Sequence, residues 1–173
     1  MTIEVVRIGQ RLVRDDRVTT HAALVSRAFG ASRIYMNETN SEILQVIDGM
    51  NKSWGGSFEV ALEDNLKDII RQKKDSGYMI VHLTMYGYAL HDYLKFNTVP
   101  EKILIVIGAS KVPREIYSMA DYNVSVGLQP HSEIAALAVF LDRIQCGEQF
   151  KREFPGASKR IIPSRTGKCV SDL

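Results

Sequence analysis

Residues 102–108 read KILIVIG, apolar at every step between the leading lysine and the closing glycine. A strand with one wet face alternates apolar and polar residues, so a run that is apolar throughout belongs to a strand covered on both faces. Residues 78–85, YMIVHLTM, carry the same signal with one histidine inside it. Around these two lie IEVVRI (3–8), SRIYM (32–36), SFEVAL (57–62) and DYNVSVG (121–127), short runs rich in β-branched or aromatic residues. All six read as strands. Residues 20–29, 41–52, 65–73, 113–119 and 132–146, which lie between and after them, have helical spacing. This alternation predicts an α/β fold with a mostly parallel sheet, helices on both faces and a ligand site outside the carboxyl ends of the strands.

At 173 residues the chain reads as one domain, 1–173, long enough to bury roughly 70% of its unfolded surface. From about residue 154, Pro155, Gly156, Pro163 and Gly167 suggest a flexible or extended tail with one short strand, RII, near Ile161. No apolar run approaches the ~20 residues of a membrane span. Arg7, Arg11, Arg14 and Arg17 interrupt what a signal peptide would need as an apolar core, so the expected location is the cytoplasm, away from membranes. Cys146 and Cys169 have no CxxC spacing and the four histidines are scattered, so no metal is expected.

Net charge is only +2, but its distribution is uneven. Arg7, Arg11, Arg14 and Arg17 crowd one end, and Lys151, Arg152, Lys159, Arg160, Arg165 and Lys168 the other. Two such clusters suit a polyanion, since each cation that meets a phosphate releases condensed counterions. The plain alternative is a solvated, solubilising surface.

Three strand-to-loop junctions stand out: HLTMYG (82–87), IGASKVP (107–113) and VGLQPHSE (126–133). Each holds a glycine where its strand should end, which lets a ligand approach the main chain closely. Any one of them alone is better read as a simple turn. The fingerprints GxGxxG and GxxxxGK are absent, which argues against a Rossmann dehydrogenase, a Rossmann-type methyltransferase and a nucleoside triphosphatase. After the third junction Ser132 or His131 is placed to cap a helix, and Glu133 suits its first turn. That helix, IAALAVFLDRI, has no polar face before Asp142, so it needs cover on more than one side, and a second subunit is the expected cover.

Arg17, Thr19, Thr20 and His21 fall together at the start of the first helix, where free amides and positive charge favour an anion such as a nucleic-acid phosphate. A capping threonine and a surface histidine explain the same residues without function. His82, inside an apolar strand, reads as a packed, hydrogen-bonded side chain. His131, beside Gln129, Ser132 and Glu133, is either a site residue or a cap.

The ordered segments RDDRVTTHAALVSRAFGA, VHLTMYG, ILIVIGASKVPREIY and ADYNVSVGLQPHSEIAALAVFLDRI together closely resemble the archaeal tRNA cytidine-56 2′-O-ribose methyltransferases of the SPOUT, or α/β-knot, superfamily. The similarity runs from about Val5 to Pro163. It implies a SPOUT-type domain with a C-terminal deep trefoil knot, a feature no strand pattern reveals, and a homodimer whose interface includes the knotted region. The implied cofactor is S-adenosylmethionine, held bent by loops that correspond here to Leu83 and its neighbours, to Gly108, Ala109, Ser110, Lys111 and Val112, and to Val126, Gly127, Leu128, Gln129, Pro130, His131, Ser132 and Glu133. These are the three junctions already singled out.

The implied partner is tRNA, methylated on a T-loop ribose hydroxyl, a poor nucleophile until it is aligned and its proton removed. Related enzymes of the superfamily assign that task to an arginine of the first motif, and alignment on Ala28, Phe29 and Gly30 puts Leu24 in its place. Arg17, whose charge suits a substrate phosphate, is therefore the first catalytic candidate, with His21 and His131 as rivals of easier acid–base chemistry. Ser110 stands where the family usually has an acidic residue. Two other classes fit the bare pattern: a non-catalytic RNA-binding module of the same fold, and a flavodoxin-like small-ligand domain.

Overall fold

Strands β1 (Thr2–Ile8), β2 (Arg33–Met36), β3 (Glu59–Leu62), β4 (Met79–Ala89), β5 (Lys102–Gly108) and β6 (Tyr122–Ser125) form one parallel sheet in the order β3-β2-β1-β5-β4-β6. The computed structural model describes residues 1–9, 16–37 and 42–173. Helices α1 (Asp16–Ala28), α2 (Glu42–Trp54), α4 (Leu90–Phe96) and α6 (Glu133–Gln145) contribute to one core cluster, and α3 (Leu66–Asp75) and α5 (Arg114–Met119) to the other. β5 shows why its sequence is apolar at each step. Ile103, Ile105 and Ile107 enter the α1/α2/α4/α6 core, Leu104 and Val106 enter the α3/α5 core, and all five are fully buried. Each stabilises the fold by about 2 kcal/mol relative to exposure.

All six strands run the same way, so their carboxyl ends share one edge. β4 is irregular there. Leu83 and Tyr88 both face Val124 of β6, so residues 84–87 loop out of the ladder and the strand then resumes. Gly87 makes the return possible, because a Cβ there would overlap the Asn123 carbonyl.

Two buried charges on β1 point to opposite faces. Glu4, 6% exposed, accepts hydrogen bonds from the hydroxyls of Tyr35 (2.9 Å) and Tyr78 (2.8 Å) and pairs with Lys73 at 2.5 Å. Lys73 in turn lies over both tyrosine rings, a cation–π sandwich that ties α3 to the sheet. Burial raises the Glu4 pKa, but the hydrogen bonds from Lys73, Tyr78 and Tyr35 outweigh it and hold the carboxyl below its ordinary range. Arg7, 1% exposed, turns toward α1 and α6.

At the opposite edge of the sheet Arg27 gathers the chain. Its Nε donates to Asn51 Oδ1 at 3.0 Å, its guanidinium also bonds the Gly55 carbonyl, and the Phe154 ring lies 5.0 Å away. Gly55 is left-handed (φ +77°), and a Cβ would overlap the Phe154 carbonyl, so glycine is required. Beyond this contact β7 (Lys159–Ile161), where RII was expected as a strand, pairs antiparallel with β8 (Val170–Asp172).

Ser132 caps α6, accepting from the amides of Ile134 (3.1 Å) and Ala135 (3.4 Å). Ala136, Leu137, Phe140, Leu141 and Ile144 are buried within the chain, while Ala135, Val139 and Arg143 form an exposed strip. Among the described residues no helix is long and apolar enough to cross a membrane.

Candidate active site

A cavity of about 1150 Å³ opens at the carboxyl ends of β4, β5 and β6, the crevice position typical of parallel sheets. Its walls come from the β4 excursion (Thr84, Met85, Tyr86), the turn after β5, the first face of α5 and the β6–α6 loop. Of the sequence candidates, Leu83, Gly108, Ala109, Ser110, Lys111, Val112, Val126, Pro130, His131 and Glu133 line it. Gly127, Leu128, Gln129 and Ser132 belong to the same loop but not to the cavity lining; Leu128 is 73% exposed, and Ser132 is engaged as the helix cap.

The turn after β5 is drawn tight. A Cβ on Gly108 would overlap the Val112 side chain, while Ala109 donates its amide to the Ile8 carbonyl at 2.9 Å and ties the turn to β1. On the opposite wall Ser125 Oγ donates to the Gly127 carbonyl at 2.8 Å, which bends the chain out of β6. His131 is exposed, and its Nδ1 donates to the Ser132 carbonyl at 3.1 Å, leaving Nε2 as the acceptor of a neutral ring.

Glu133 is the one carboxylate among the described lining residues; Lys111 and Arg114 are exposed cations on the wall formed by the β5–α5 turn. Arg7 holds Glu133 in place: its guanidinium donates to Glu133 Oε1 at 3.3 Å and to Thr19 Oγ1 at 3.0 Å, joining β1, α1 and α6 at one point. In the sequence Arg7 stands out as part of a basic end and as a break in an apolar run, not as a site residue. An arginine inside the apolar run IEVVRI was the available signal, since a charge on a buried strand requires a partner.

His82 is fully buried, as its apolar surroundings suggested. Its Nδ1 lies 2.8 Å from Asn123 Oδ1, and its ring meets Tyr117 edge to face at 4.7 Å. Burial pushes its pKa down, against the opposing pull of the Asn123 hydrogen bond. Tyr117 and Thr84, their hydroxyls 3.2 Å apart, also line the cavity; Thr84 falls within the 82–87 junction, whereas Tyr117 is not among the sequence candidates.

The other catalytic candidates fall elsewhere. His21 is exposed on α1 and outside the cavity lining. Arg17 lies on α1, with its side chain outside the described residues. Leu24, at the position of the first-motif arginine, packs against the core. No group of three or more potential metal ligands occurs among the described residues.

Comparison with known proteins accords with this geometry. Residues 54–171 match the family model described as tRNA ribose 2′-O-methyltransferase, aTrm56. The tRNA (cytidine(56)-2′-O)-methyltransferase of Nitrosopumilus maritimus (strain SCM1) is 61% identical over 170 residues, covering 98% of this chain and 96% of the relative. Among solved structures, the A. aeolicus TrmH/SpoU tRNA modifying enzyme superposes with a TM-score of 0.61 at 15% identity, over 87% of this chain and 76% of that one. The SpoU methyltransferase AviRb from Streptomyces viridochromogenes, solved in complex with AdoMet, gives 0.59 at 11% identity, over 84% and 57% respectively. The chain thus belongs to the aTrm56 family of tRNA ribose 2′-O-methyltransferases.

Proposed function

We propose that this protein methylates the ribose 2′-hydroxyl of cytidine 56 in tRNA, using S-adenosylmethionine held at the edge between β4, β5 and β6. The observation that carries this reading is identity along almost the whole chain to a relative named for that reaction. The cavity fits the cofactor: it has ample volume for a nucleoside joined to an amino acid, an apolar floor of Leu83, Ile107 and Ala136, and two turns with close-approaching backbone. When bound, S-adenosylmethionine supplies an electrophilic sulfonium methyl.

Leu83, Gly108–Val112 and the loop from Val126 to Glu133 form the cradle. Lys111 and Arg114 attract the phosphates beside the target ribose. His131 Nε2 accepts the proton of the 2′-hydroxyl. It is the catalytic candidate on the cavity wall among those with described side chains, and its Nδ1 contact presents the right tautomer. Arg17 and His21, at the start of α1, meet the tRNA backbone. The family's deep trefoil knot, formed by the last strands and α6, is part of the proposal. So is the homodimer, for which the strip of Ala135, Val139 and Arg143 on α6 offers a contact face.

Methyl-labelled cofactor and two tRNA transcripts test the reaction, one unmodified and one with 2′-deoxycytidine at position 56. Label is expected in the first alone; equal label in both would refute ribose methylation at that position. Salt-sensitive tRNA binding without any label would favour the non-catalytic RNA-binding module instead.

A further inference from the structure

His82 holds the one buried nitrogen without a hydrogen-bond partner on the cavity wall, among the described residues. The network around it sets its chemistry. Asn123 Nδ2 donates to the Tyr117 carbonyl at 2.9 Å, so Asn123 Oδ1 faces His82 as an acceptor and the imidazole carries its proton on Nδ1. Nε2 is then a bare lone pair. Burial favours the neutral ring and keeps that nitrogen an acceptor.

Such an acceptor, shut away from water, is retained at a functional site when a ligand supplies the donor. The donor it suits is uncharged. A cationic ammonium finds its counterion at Glu133, the carboxylate among the described lining residues, whereas His82 faces the α5 side of β4, opposite Leu83, against the aromatic ring of Tyr117, which accepts a flat base. We propose that His82 Nε2 accepts a hydrogen bond from the exocyclic amino group of adenine, and so selects an adenine nucleoside. This rests on the cofactor assigned above. Tyr117 turns aside in the process, because its ring covers the imidazole and its hydroxyl, on Thr84, borders the cavity. A base with a carbonyl at the same position would set two lone pairs against each other and be rejected.

Calorimetric titration of the full chain with S-adenosylhomocysteine and with its purine counterpart lacking the 6-amino group tests this. Wild-type protein is expected to bind the adenine compound about tenfold more tightly, and His82→Phe to bind the two within about twofold of each other. Equal wild-type affinities, or full discrimination retained by His82→Phe, would overturn the assignment. Binding of neither compound by wild-type protein would instead remove the cofactor reading on which it rests. Nitrogen NMR of the wild-type protein avoids any folding defect in the variant. The His82 Nε2 resonance is expected to move with the adenine compound and not with the purine one, and an unmoved resonance contradicts the proposal.

Discussion

Glu4 and Arg7 lie three positions apart on β1, both almost fully buried, and they serve different ends. Glu4 is enclosed by Tyr35, Tyr78 and Lys73, far from the cavity, in a cluster that fastens α3 to the sheet. Arg7 reaches from the carboxyl end of the same strand to Glu133 on the cavity wall and to Thr19 on α1. Burial of a charge by itself therefore says nothing about function. Its place along a parallel strand does, because only the carboxyl end opens onto the crevice.

The sharpest way to break this contrast is Arg7→Met. Removing one partner of a buried pair leaves Glu133 uncompensated and unties three elements, so a loss of about 3 kcal/mol in urea unfolding is expected. S-adenosylhomocysteine affinity should fall at least about tenfold, since the start of α6 loses its anchor. Unchanged affinity in a folded Arg7→Met protein would remove Arg7 from the site.

Glu4→Gln should cost about 1 to 2 kcal/mol while leaving cofactor affinity and methyl-transfer rate at wild-type values. Its pH dependence is specific. The folded-state pKa of Glu4 lies below the ordinary 4.5, so its stabilisation is complete above that value and disappears as pH falls through the folded value. Unfolding curves from pH 7 down to about pH 3 should show the variant and wild type converging only at the acid end. Convergence already near neutrality would contradict the Glu4 assignment.

The smallest effect belongs to Lys52→Ala, which removes an exposed pair with Asp48 on α2, 2.6 Å apart. A change of less than about 0.5 kcal/mol is expected, and a larger one would mean that α2 is held by its surface charges.

The strands were legible because a parallel sheet covered on both faces writes itself into a chain as unbroken apolar runs, as β5 does. Five helices were legible from their periodicity. α4 was not: it continues directly from β4 for seven residues, with no side-chain cap at Ala89 to mark its start. β8 was equally silent, since three residues, Val170–Asp172, with both ends exposed, carry too little pattern. The site divides the same way. Glycines signposted the three loops, although Gly87 lies within β4 where the strand returns and not at its end; at Gly87 and Gly108 a Cβ would overlap a neighbour. The Arg7 contacts span 12 and 126 positions, and the hydrogen bond between His82 and Asn123 spans 41, so no local spacing records them.

We assign ribose methylation of tRNA to the crevice between β4, β5 and β6. Mass-spectrometric mapping of unmodified tRNA incubated with the protein and S-adenosylmethionine tests it most directly. A single added methyl on the 2′-oxygen of cytidine 56 is the predicted result; a methyl on a base, at another nucleotide or nowhere would contradict it.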